Sequence, residues 1–361
     1  MQLSFIIPTR DRNDQLEQTL SRLGDLGGGL GEQAELIVCD NASKRPMQLP
    51  EVLPNGIAVT SIRLDRNHNT AARNIGAQQA CGSWLVMLDD DSSPMEAGLI
   101  ETLGAIDPQV VAVGGEIMLT NGSRESGGLP EVIVGCGCAI RRDAFLSVGG
   151  YDASFGYYAE EYDLCAKLIA SGHRVVHSRG LRFEHRKSTQ GRDFNEIIYR
   201  LVRNNGWVLQ RYAPHDRREI LIEETVARYR RIAEIERAQA GFERGLGELR
   251  KTLGEQPDLA LTEAQWERFE GRAAVRATIE ANLPMSGMPV RLVGPAQGKG
   301  RSIIEGELLA RGCTISDDPD TRPFIATLSP GPMLDALDAH PDAMMPWSLS
   351  DRVGHARAAV P

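Results

Sequence analysis

Three consecutive aspartates, Asp89, Asp90 and Asp91, directly follow the apolar run 84–88. A run of this length is typical of a buried strand, so the triplet concentrates carboxylates at one strand end. Like charges this close repel one another, and a cation that compensates them would stabilise the cluster. Mg²⁺ or Mn²⁺ fits that role, since both take oxygen ligands and are often held jointly with substrate phosphates. The alternative is a polar strand-to-loop turn with solvated aspartates.

A second acidic cluster comprises Glu160, Glu161 and Asp163, which begin a segment with apolar residues at helical spacing that ends at Gly172. This pattern predicts a helix with its carboxylates in the first turn. The helix dipole favours negative charge there, so the cluster by itself requires no catalytic role.

The composition limits the function before any element is assigned. The chain has 361 residues, 42% hydrophobic and 25% charged, with a net charge of −9. This balance argues against a general nucleic-acid binder, which needs a basic face. We find no run of 18 apolar residues and no signal-peptide pattern, and therefore expect a cytoplasmic protein without a transmembrane segment. The six cysteines are scattered and are expected to be reduced, and Cys136-Gly137-Cys138 lacks the spacing of a zinc site.

The first half of the chain predicts the elements that must position the aspartates. Strands at 3–7, 35–39, 57–64 and 84–88 alternate with helices at 14–23 and 70–80. Such alternation predicts a doubly wound α/β fold with a mostly parallel sheet, in which ligands bind outside the carboxyl ends of the strands. Thr9, Arg10, Asp40 and the aspartate triplet, all at strand ends, would then share one site.

The pattern changes after residue 110. Strands are predicted at 110–113, 116–119, 131–140 and 174–177, and 182–185 leads into a polar stretch. From about residue 213 the chain becomes helical and highly charged, and a tail follows with a strand at 290–293 and a helix at 302–311. We therefore predict three units: residues 1–212, a helical extension at 213–284 and a small α/β unit at 285–361.

Two basic segments have open interpretations. The arginines between residues 200 and 231 could contact an anionic membrane surface or a lipid-diphosphate acceptor, or simply cover a solvated helical face. The segment 294–302 is similar to a phosphate loop, but its spacing is one residue short and Gly300 replaces the hydroxyl residue that would meet Mg²⁺. A strand, a glycine loop and a helix start can still bind an anion weakly.

Four segments, in order, give residues 1–210 a resemblance to the inverting family 2 glycosyltransferases of the GT-A fold, of the bacterial rhamnosyltransferase-like type. They are Phe5–Arg12, Val38–Ser43, Asn67–Gly76 with Ala80–Asp91, and Gly149–Gly172. The third resembles the family's arginine-asparagine helix and metal motif, and the fourth its acceptor-side loop and catalytic helix. The resemblance implies a transferase that moves a sugar from a UDP, dTDP or GDP donor to an acceptor hydroxyl with inversion and a divalent metal, as in polysaccharide biosynthesis.

The resemblance also implies roles for individual residues on the donor side. Thr9, Arg10 and Asp40 would line the nucleobase pocket with Pro8 beside them, and Arg73 would lie near the nucleotide. In the triplet, Asp90 would contact ribose and Asp91 the metal, and Asp89 would support the turn. His185 matches a late histidine that often completes the metal site, although a single histidine is more often structural. The cofactor expected is Mg²⁺ or Mn²⁺.

The chain departs from the family in the acidic helix. The family usually has Glu-Asp, then one residue, then Asp, and here Glu161 occupies the place of the expected catalytic base. Its extra methylene preserves the chemistry only if the pocket adjusts, because placement to within about 1 Å affects rate. Asp163 and Glu160 are the other candidate bases.

Two other functions remain as alternatives. A nucleotidyltransferase would need a glycine-rich, lysine-bearing loop after the first strand, where this chain has Pro8–Arg12 without glycine. A catalytically silent nucleotide-sugar-binding module is suggested by Glu161. The expected partners are a nucleotide-sugar donor and a glycan, lipid-linked or small-molecule acceptor, with no nucleic acid. Peripheral contact with the inner membrane and a homo-oligomer are left open.

Overall fold

The computed structural model describes residues 1–27, 29–187, 193–283 and 287–349. Eight strands form one large mixed sheet in the order β3-β2-β1-β4-β7-β6-β8-β5. The strands are β1 (Leu3–Thr9), β2 (Ala34–Asp40), β3 (Ala58–Arg63), β4 (Trp84–Met87), β5 (Ser92–Pro94), β6 (Val110–Leu119), β7 (Cys138–Arg141) and β8 (Arg174–His185). The first four are mutually parallel, β7 runs antiparallel between β4 and β6, and β5 runs antiparallel to β8.

Helices cover both faces of this sheet, as a doubly wound fold requires. They are α1 (Asn13–Gly24), α2 (Ala72–Gln79), α3 (Leu99–Gly104), α4 (Arg142–Ser147), α5 (Glu160–Ala170) and α6 (Phe194–Tyr212). One apolar core joins the sheet to α1 and α3, and a second joins the opposite face to α2, α4, α5 and α6. The prediction of a mostly parallel, doubly wound α/β fold is confirmed.

Four sequence predictions of strand boundaries were wrong. The strand predicted at 3–7 continues through Pro8 to Thr9, which pairs with Asp40. The segments predicted separately at 110–113 and 116–119 form one strand, and the strand predicted at 174–177 continues to His185. The strand predicted at 131–140 is confined to Cys138–Arg141. Glycines and polar residues interrupt the apolar patterns, but pairing between β6 and β8 continues across the interruptions with local register shifts.

Strand register brings the aspartate triplet to the end of β8. Ser92, the residue after Asp91, pairs with His185. The N–H of Arg186 also donates to the carbonyl of Asp91 at 2.9 Å. Residues almost a hundred positions apart are thereby placed side by side by backbone hydrogen bonds alone.

The helical extension consists of α7 (Arg218–Ile235), α8 (Gln239–Thr252), α9 (Glu263–Phe269) and α10 (Arg272–Asn282). Three short 3₁₀ helices lie at Leu30–Glu32, Asn69–Ala71 and Leu253–Glu255. Helix α8 packs closely on α6, and a Cβ added at Gly241 would lie 2.0 Å from the carbonyl oxygen of Asn195. Within the described residues, no helix combines the length and the apolar character needed to cross a bilayer.

The C-terminal unit has its own three-stranded parallel sheet in the order β10-β9-β11. Its elements are β9 (Pro289–Val293), α11 (Lys299–Ala310), β10 (Thr314–Ile315), β11 (Pro323–Ile325) and α12 (Pro330–Ala339). Val275, Ile279 and Leu283 of the extension belong to the same apolar core as this sheet. The predicted boundary at 284/285 lies outside the described residues, as does residue 350 onwards.

Candidate active site

A cleft of about 1040 Å³ opens at the carboxyl edge of the large sheet. One side is lined by Arg12, Arg73, Asp89, Asp91 and His185, and the other by the start of α5 and part of α7. Ligands of doubly wound folds bind at this edge. The cleft is therefore the candidate site, and the two acidic clusters of the sequence meet in it.

Asp89 is the most exposed carboxylate of the triplet, with 40% of its side chain accessible. It accepts a short hydrogen bond from Nη2 of Arg73, which also donates to the carbonyl of Leu88 at 2.9 Å. Burial opposes the charge of Arg73, but the Asp89 carboxylate and other acidic neighbours raise its pKa above the usual range. Arg73 is therefore a permanent cation that lines the cleft.

Asp90 and Asp91 share a second cation, Arg12. Its guanidinium lies 3.1 Å from Asp90 Oδ1 and 2.5 Å from Asp91 Oδ2. Asp90 is buried and lies outside the cleft lining, and burial raises its pKa to about 7 even though Arg12 acts in the opposite direction. Burial acts the same way on Asp91, but hydrogen bonding to His185 and the charge of Arg12 hold its pKa well below the usual range. Asp89 and Asp91 therefore line the cleft, whereas Asp90 is buried outside its lining.

His185 completes the acidic end of the cleft. Its Nε2 lies 3.3 Å from Asp91 Oδ1, and its Nδ1 lies 2.8 Å from Glu125 Oε2. Burial would lower the pKa of His185, but hydrogen bonds with Asp91, Cys136 and Glu125 raise it to about 12. The surrounding carboxylates thus favour a positive charge at this position, whether a proton or a metal ion carries it.

The donor chemistry at this end fits a divalent metal. Asp89, Cys136 and His185 each offer one ligand atom, and these three atoms lie within 4.8 Å of one another. Asp91, predicted as the metal ligand, lies next to His185. Carboxylate oxygens with one imidazole suit Mn²⁺, and oxygen ligands suit Mg²⁺. Burial raises the pKa of Cys136 to about 11, so its sulfur stays a protonated thiol and is a poor ligand for a hard ion.

The opposite side of the cleft presents Glu161. This half-buried carboxylate accepts a hydrogen bond of 3.2 Å from the backbone N–H of Gly135. Burial raises its pKa above the usual range, although the Gly135 hydrogen bond and the charge of Arg73 act in the other direction. A carboxylate whose pKa is shifted towards neutrality is suited to accept a proton during a reaction.

The other two members of the acidic cluster have different surroundings. Glu160 is buried, and burial together with the Glu161 carboxylate raises its pKa well above the usual range. Asp163 is fully buried and accepts hydrogen bonds of 2.8 Å from both Arg211 and the Tyr212 hydroxyl. Asp163 is not among the cleft residues, so the structure separates this candidate base from Glu161.

A strained turn sets the position of this helix start. Tyr158 and Ala159 have φ values of 70° and 65°, in the left-handed region that non-glycine residues rarely adopt. Each such residue costs on the order of 1–3 kcal/mol and persists only where its surroundings enforce it. The buried Asn204 amide donates to the carbonyls of Phe155, Tyr157 and Tyr158 at 2.7–3.0 Å. This turn, held by Asn204, places Glu160 and Glu161 at the cleft.

The predicted nucleobase residues are not among the residues that line the cleft. Asp40 is buried and accepts hydrogen bonds from the Ser43 N–H at 2.8 Å and from Arg63 at 2.9 Å. Thr9 is buried opposite Asp40 in the register of β1 and β2, whereas Arg10 is exposed. Strand pairing therefore places Thr9 beside Asp40, with Pro8 one residue earlier on β1.

The sequence reasoning missed two residues at the acidic end, Arg12 and Glu125. Arg12 lies in the opening segment Phe5–Arg12, and its position after a strand end was a usable signal. Glu125 lies in a glycine-rich segment with no recognisable pattern, and only the fold brings it to His185.

Comparison with known proteins assigns the domain. Residues 4–146 match the family model described as glycosyl transferase family 2. The N-terminal part of this chain is a family 2 glycosyltransferase domain. The chain is 28% identical to the glucosyl-dolichyl phosphate glucuronosyltransferase of Haloferax volcanii, over 36% of this chain and 51% of that protein. An uncharacterized glycosyltransferase of Haemophilus influenzae is 26% identical, over 46% of this chain and 62% of that protein. The chain thus spans about half the length of these curated relatives.

Solved structures agree with the fold of the glycosyltransferase domain. GalNAc-T7 with UDP, GalNAc and Mn²⁺ superposes with a TM-score of 0.52 at 15% identity, over 80% of this chain and 59% of that one. S. aureus TarS 1-349 with UDP-GlcNAc gives 0.50 at 14% identity, over 77% and 85%. At these identities the likeness shows the GT-A fold of the glycosyltransferase domain.

Proposed function

We propose that this chain transfers a sugar from a nucleoside-diphosphate donor to an acceptor hydroxyl, with inversion and with Mg²⁺ or Mn²⁺ as cofactor. The observation that carries this proposal is one cleft with Asp89, Asp91 and His185 on one side and Glu161 on the other. The family 2 domain supports the reaction class. The donor nucleotide is proposed to be UDP, dTDP or GDP. The choice among these, the sugar and the acceptor all belong to the proposal.

The donor end is built to receive a diphosphate. Asp91, Asp89 and His185 would hold the metal, which when bound neutralises negative charge on the departing nucleoside diphosphate. Arg73 adds a fixed positive charge at the same end, since it is buried and bonded to both Asp89 and the carbonyl of Leu88. Charges aimed in advance at a leaving group lower the barrier without reorganisation during the reaction.

Glu161 is the proposed general base. It would remove the proton from the acceptor hydroxyl as the oxygen attacks the anomeric carbon from the face opposite the leaving group. The bond to the diphosphate breaks as the new bond forms, which inverts the configuration. The Gly135 N–H donates to Glu161 Oε1 and fixes the carboxylate in the cleft. General-base assistance of this kind typically contributes about 10²- to 10⁴-fold in rate.

The acceptor would enter beside the helical extension. Tyr157, Leu201, Asn205, Arg228 and Tyr229 line the cleft there. Aromatic and polar side chains together suit a sugar, which presents both apolar faces and hydroxyls. The Haloferax relative is named for a lipid-linked acceptor, glucosyl-dolichyl phosphate, which makes lipid-linked acceptors worth including in a screen.

A thermal-unfolding panel tests the donor assignment. The protein is heated with UDP-, dTDP- and GDP-sugars, each with and without Mn²⁺, and again after EDTA. A ligand that binds only the folded state raises its stability by mass action, by about 2.7 kcal/mol at 100 times Kd. We expect one nucleotide class to raise Tm in a metal-dependent manner. Asp91→Asn should lose that rise, and absence of any rise with wild-type protein would contradict the proposal.

A further inference from the structure

The C-terminal unit contacts the cleft loop 124–128, four residues of which line the candidate site. Ser329, just before α12, donates from its Oγ to the carbonyl of Gly127 at 2.5 Å, and the Gly127 N–H donates back to that Oγ at 3.0 Å. A Cβ added at Gly331 would lie 2.1 Å from the carbonyl oxygen of Glu125. The start of α12 therefore lies directly against the backbone of this loop.

Ion pairs of Arg124 hold the same loop against β6 and α12. Its guanidinium is 9% exposed and lies 2.6 Å from Glu116 on β6, 2.9 Å from Asp335 and 2.6 Å from Asp338. Asp335 also accepts a hydrogen bond of 3.3 Å from the Arg124 backbone N–H. The nearly buried guanidinium of Arg124, the residue before Glu125, thus links the loop to the sheet and to α12. Charge-assisted bonds of this number restrict the loop backbone far more than a single surface ion pair would.

The Glu125 side chain connects this loop to His185, so the position of the loop sets the orientation of the imidazole ring. The Glu125 side chain is 7% exposed, and its Oε2 accepts from His185 Nδ1 at 2.8 Å, while its Oε1 accepts from Lys187 Nζ at 2.6 Å. With Nδ1 engaged, the ring presents Nε2 towards Asp91 Oδ1 at 3.3 Å. A carboxylate that accepts from one ring nitrogen sets both the tautomer and the direction of the other.

We propose that Glu125 is the positioning residue for His185, and that the C-terminal unit holds Glu125 in place through Arg124 and Ser329. This inference rests on the proposed function, because the role of His185 as a metal ligand belongs to that proposal. It assigns to the C-terminal unit a part in the site that no feature of its own sequence indicates. The ligand concerned is a divalent cation of the Mn²⁺ type, held by oxygen and imidazole donors.

The first experiment measures Mn²⁺ affinity of the full chain directly, from the electron paramagnetic resonance signal of free Mn²⁺. Glu125→Ala should weaken Mn²⁺ binding about 10- to 100-fold, the usual effect of losing such a partner. Glu125→Gln should recover much of that loss, since its amide oxygen still accepts from Nδ1. In parallel, ¹⁵N NMR of the metal-free protein should show a changed Nδ1 signal for His185 in Glu125→Ala, because that ring nitrogen loses its hydrogen-bond acceptor. Unchanged affinity and unchanged ring signals would overturn the inference.

The second experiment separates the C-terminal contact from general stability. The Asp335→Asn/Asp338→Asn double variant removes two carboxylate charges that pair with Arg124. The control, Asp317→Asn/Asp320→Asn, removes two exposed charges elsewhere in the same unit. We expect faster amide hydrogen exchange at residues 124–128 and several-fold weaker Mn²⁺ binding in the first variant only. Ser329→Ala is the milder variant, and it decides the test if the double variant does not fold. Equal Mn²⁺ affinity in both double variants would overturn the role of the C-terminal unit.

The outcomes also distinguish this inference from the proposed function. If the wild-type chain binds no Mn²⁺, the proposed metal dependence fails, and the His185 ring signals alone decide whether Glu125 orients the imidazole. If Mn²⁺ binding responds as expected but no sugar is transferred in any acceptor screen, the proposed reaction fails and the positioning inference stands.

Discussion

Asp163 and Arg211 form a buried ion pair, with a distance of 2.8 Å between Oδ1 and Nη1. Arg211 comes from the end of α6, and it also contacts Asp152 at 2.7 Å. The pair therefore joins α5, α6 and the turn that precedes α5. Because Asp163 is fully buried in this network, its carboxylate stabilises the position of α5 and does not face the cleft.

The first prediction concerns stability. Asp163→Ala should lower the free energy of unfolding by about 3 kcal/mol or more, because it leaves the buried Arg211 with fewer counter-charges. Urea denaturation of the variant and wild type measures this difference. A variant with unchanged stability but abolished transfer would instead make Asp163 the catalytic base.

The second prediction concerns the base. Glu161→Gln should reduce the transfer rate about 10²- to 10⁴-fold with little change in donor binding, because the amide cannot accept the proton. Glu161→Asp should also be slow, since the shorter side chain withdraws from the position fixed by the Gly135 N–H. Single-turnover rates with saturating donor measure both.

Glu160→Gln is the matched control for that prediction. Its carboxyl is buried and burial raises its pKa well above the usual range, so an uncharged amide of the same shape should replace it well. If Glu160→Gln loses more activity than Glu161→Gln, the two assignments are reversed.

The third prediction concerns the metal. After EDTA treatment, His185→Ala should lose more Mn²⁺-supported than Mg²⁺-supported transfer, because an imidazole ligand favours Mn²⁺ over the more oxygen-selective Mg²⁺. Activity titrations with each metal measure the two losses. Cys136→Ala serves as control and should preserve the ratio, since that thiol stays protonated. An equal loss with both metals in His185→Ala would argue against direct ligation.

The fourth prediction concerns pH. Burial lowers the pKa of His177 from 6.5 to about 4, although its Nε2 donates to the Leu129 carbonyl at 2.9 Å. The unfolded chain therefore binds this proton more readily than the folded one. Stability associated with His177 is complete above pH 6.5 and is lost as the pH falls towards 4, with a slope of at most about 1.4 kcal/mol per pH unit.

Unfolding free energies measured between pH 7 and 4.5 test this dependence. His177→Gln should show a shallower loss than wild type across that range. His215→Gln, at a histidine with 66% of its side chain exposed, is the control and should follow wild type. Parallel curves for wild type and His177→Gln would show that His177 does not titrate as described.

Local patterns were sufficient for much of the fold. The apolar strands β1, β2 and β4 were recognisable because burial on both faces of a parallel sheet produces short continuous apolar runs. The start of α5 was recognisable because carboxylates concentrate at helix N-termini. The strand predicted at 131–140 failed for the complementary reason, since an apolar run does not indicate whether a neighbouring strand is available to pair with it.

The choice among neighbouring carboxylates could not be read from their spacing. Asp89 and Asp91 line the cleft while Asp90 is enclosed beside Arg12, although the three differ by single positions in the chain. Likewise Glu161 faces the cleft and Asp163 is paired with Arg211. Which carboxylate remains available depends on the cations that the fold places beside each one.

By itself, the sequence determined the fold class, the first four strands and the presence of two acidic clusters near element ends, because period and polarity are local properties of a chain. Only the tertiary structure decided that Arg12 pairs with Asp91, that Glu125 orients His185, and that Asp335 of the C-terminal unit reaches Arg124. These contacts join residues from 60 to 211 positions apart. Their strength comes from desolvation and hydrogen-bond geometry, which exist only once the chain is packed.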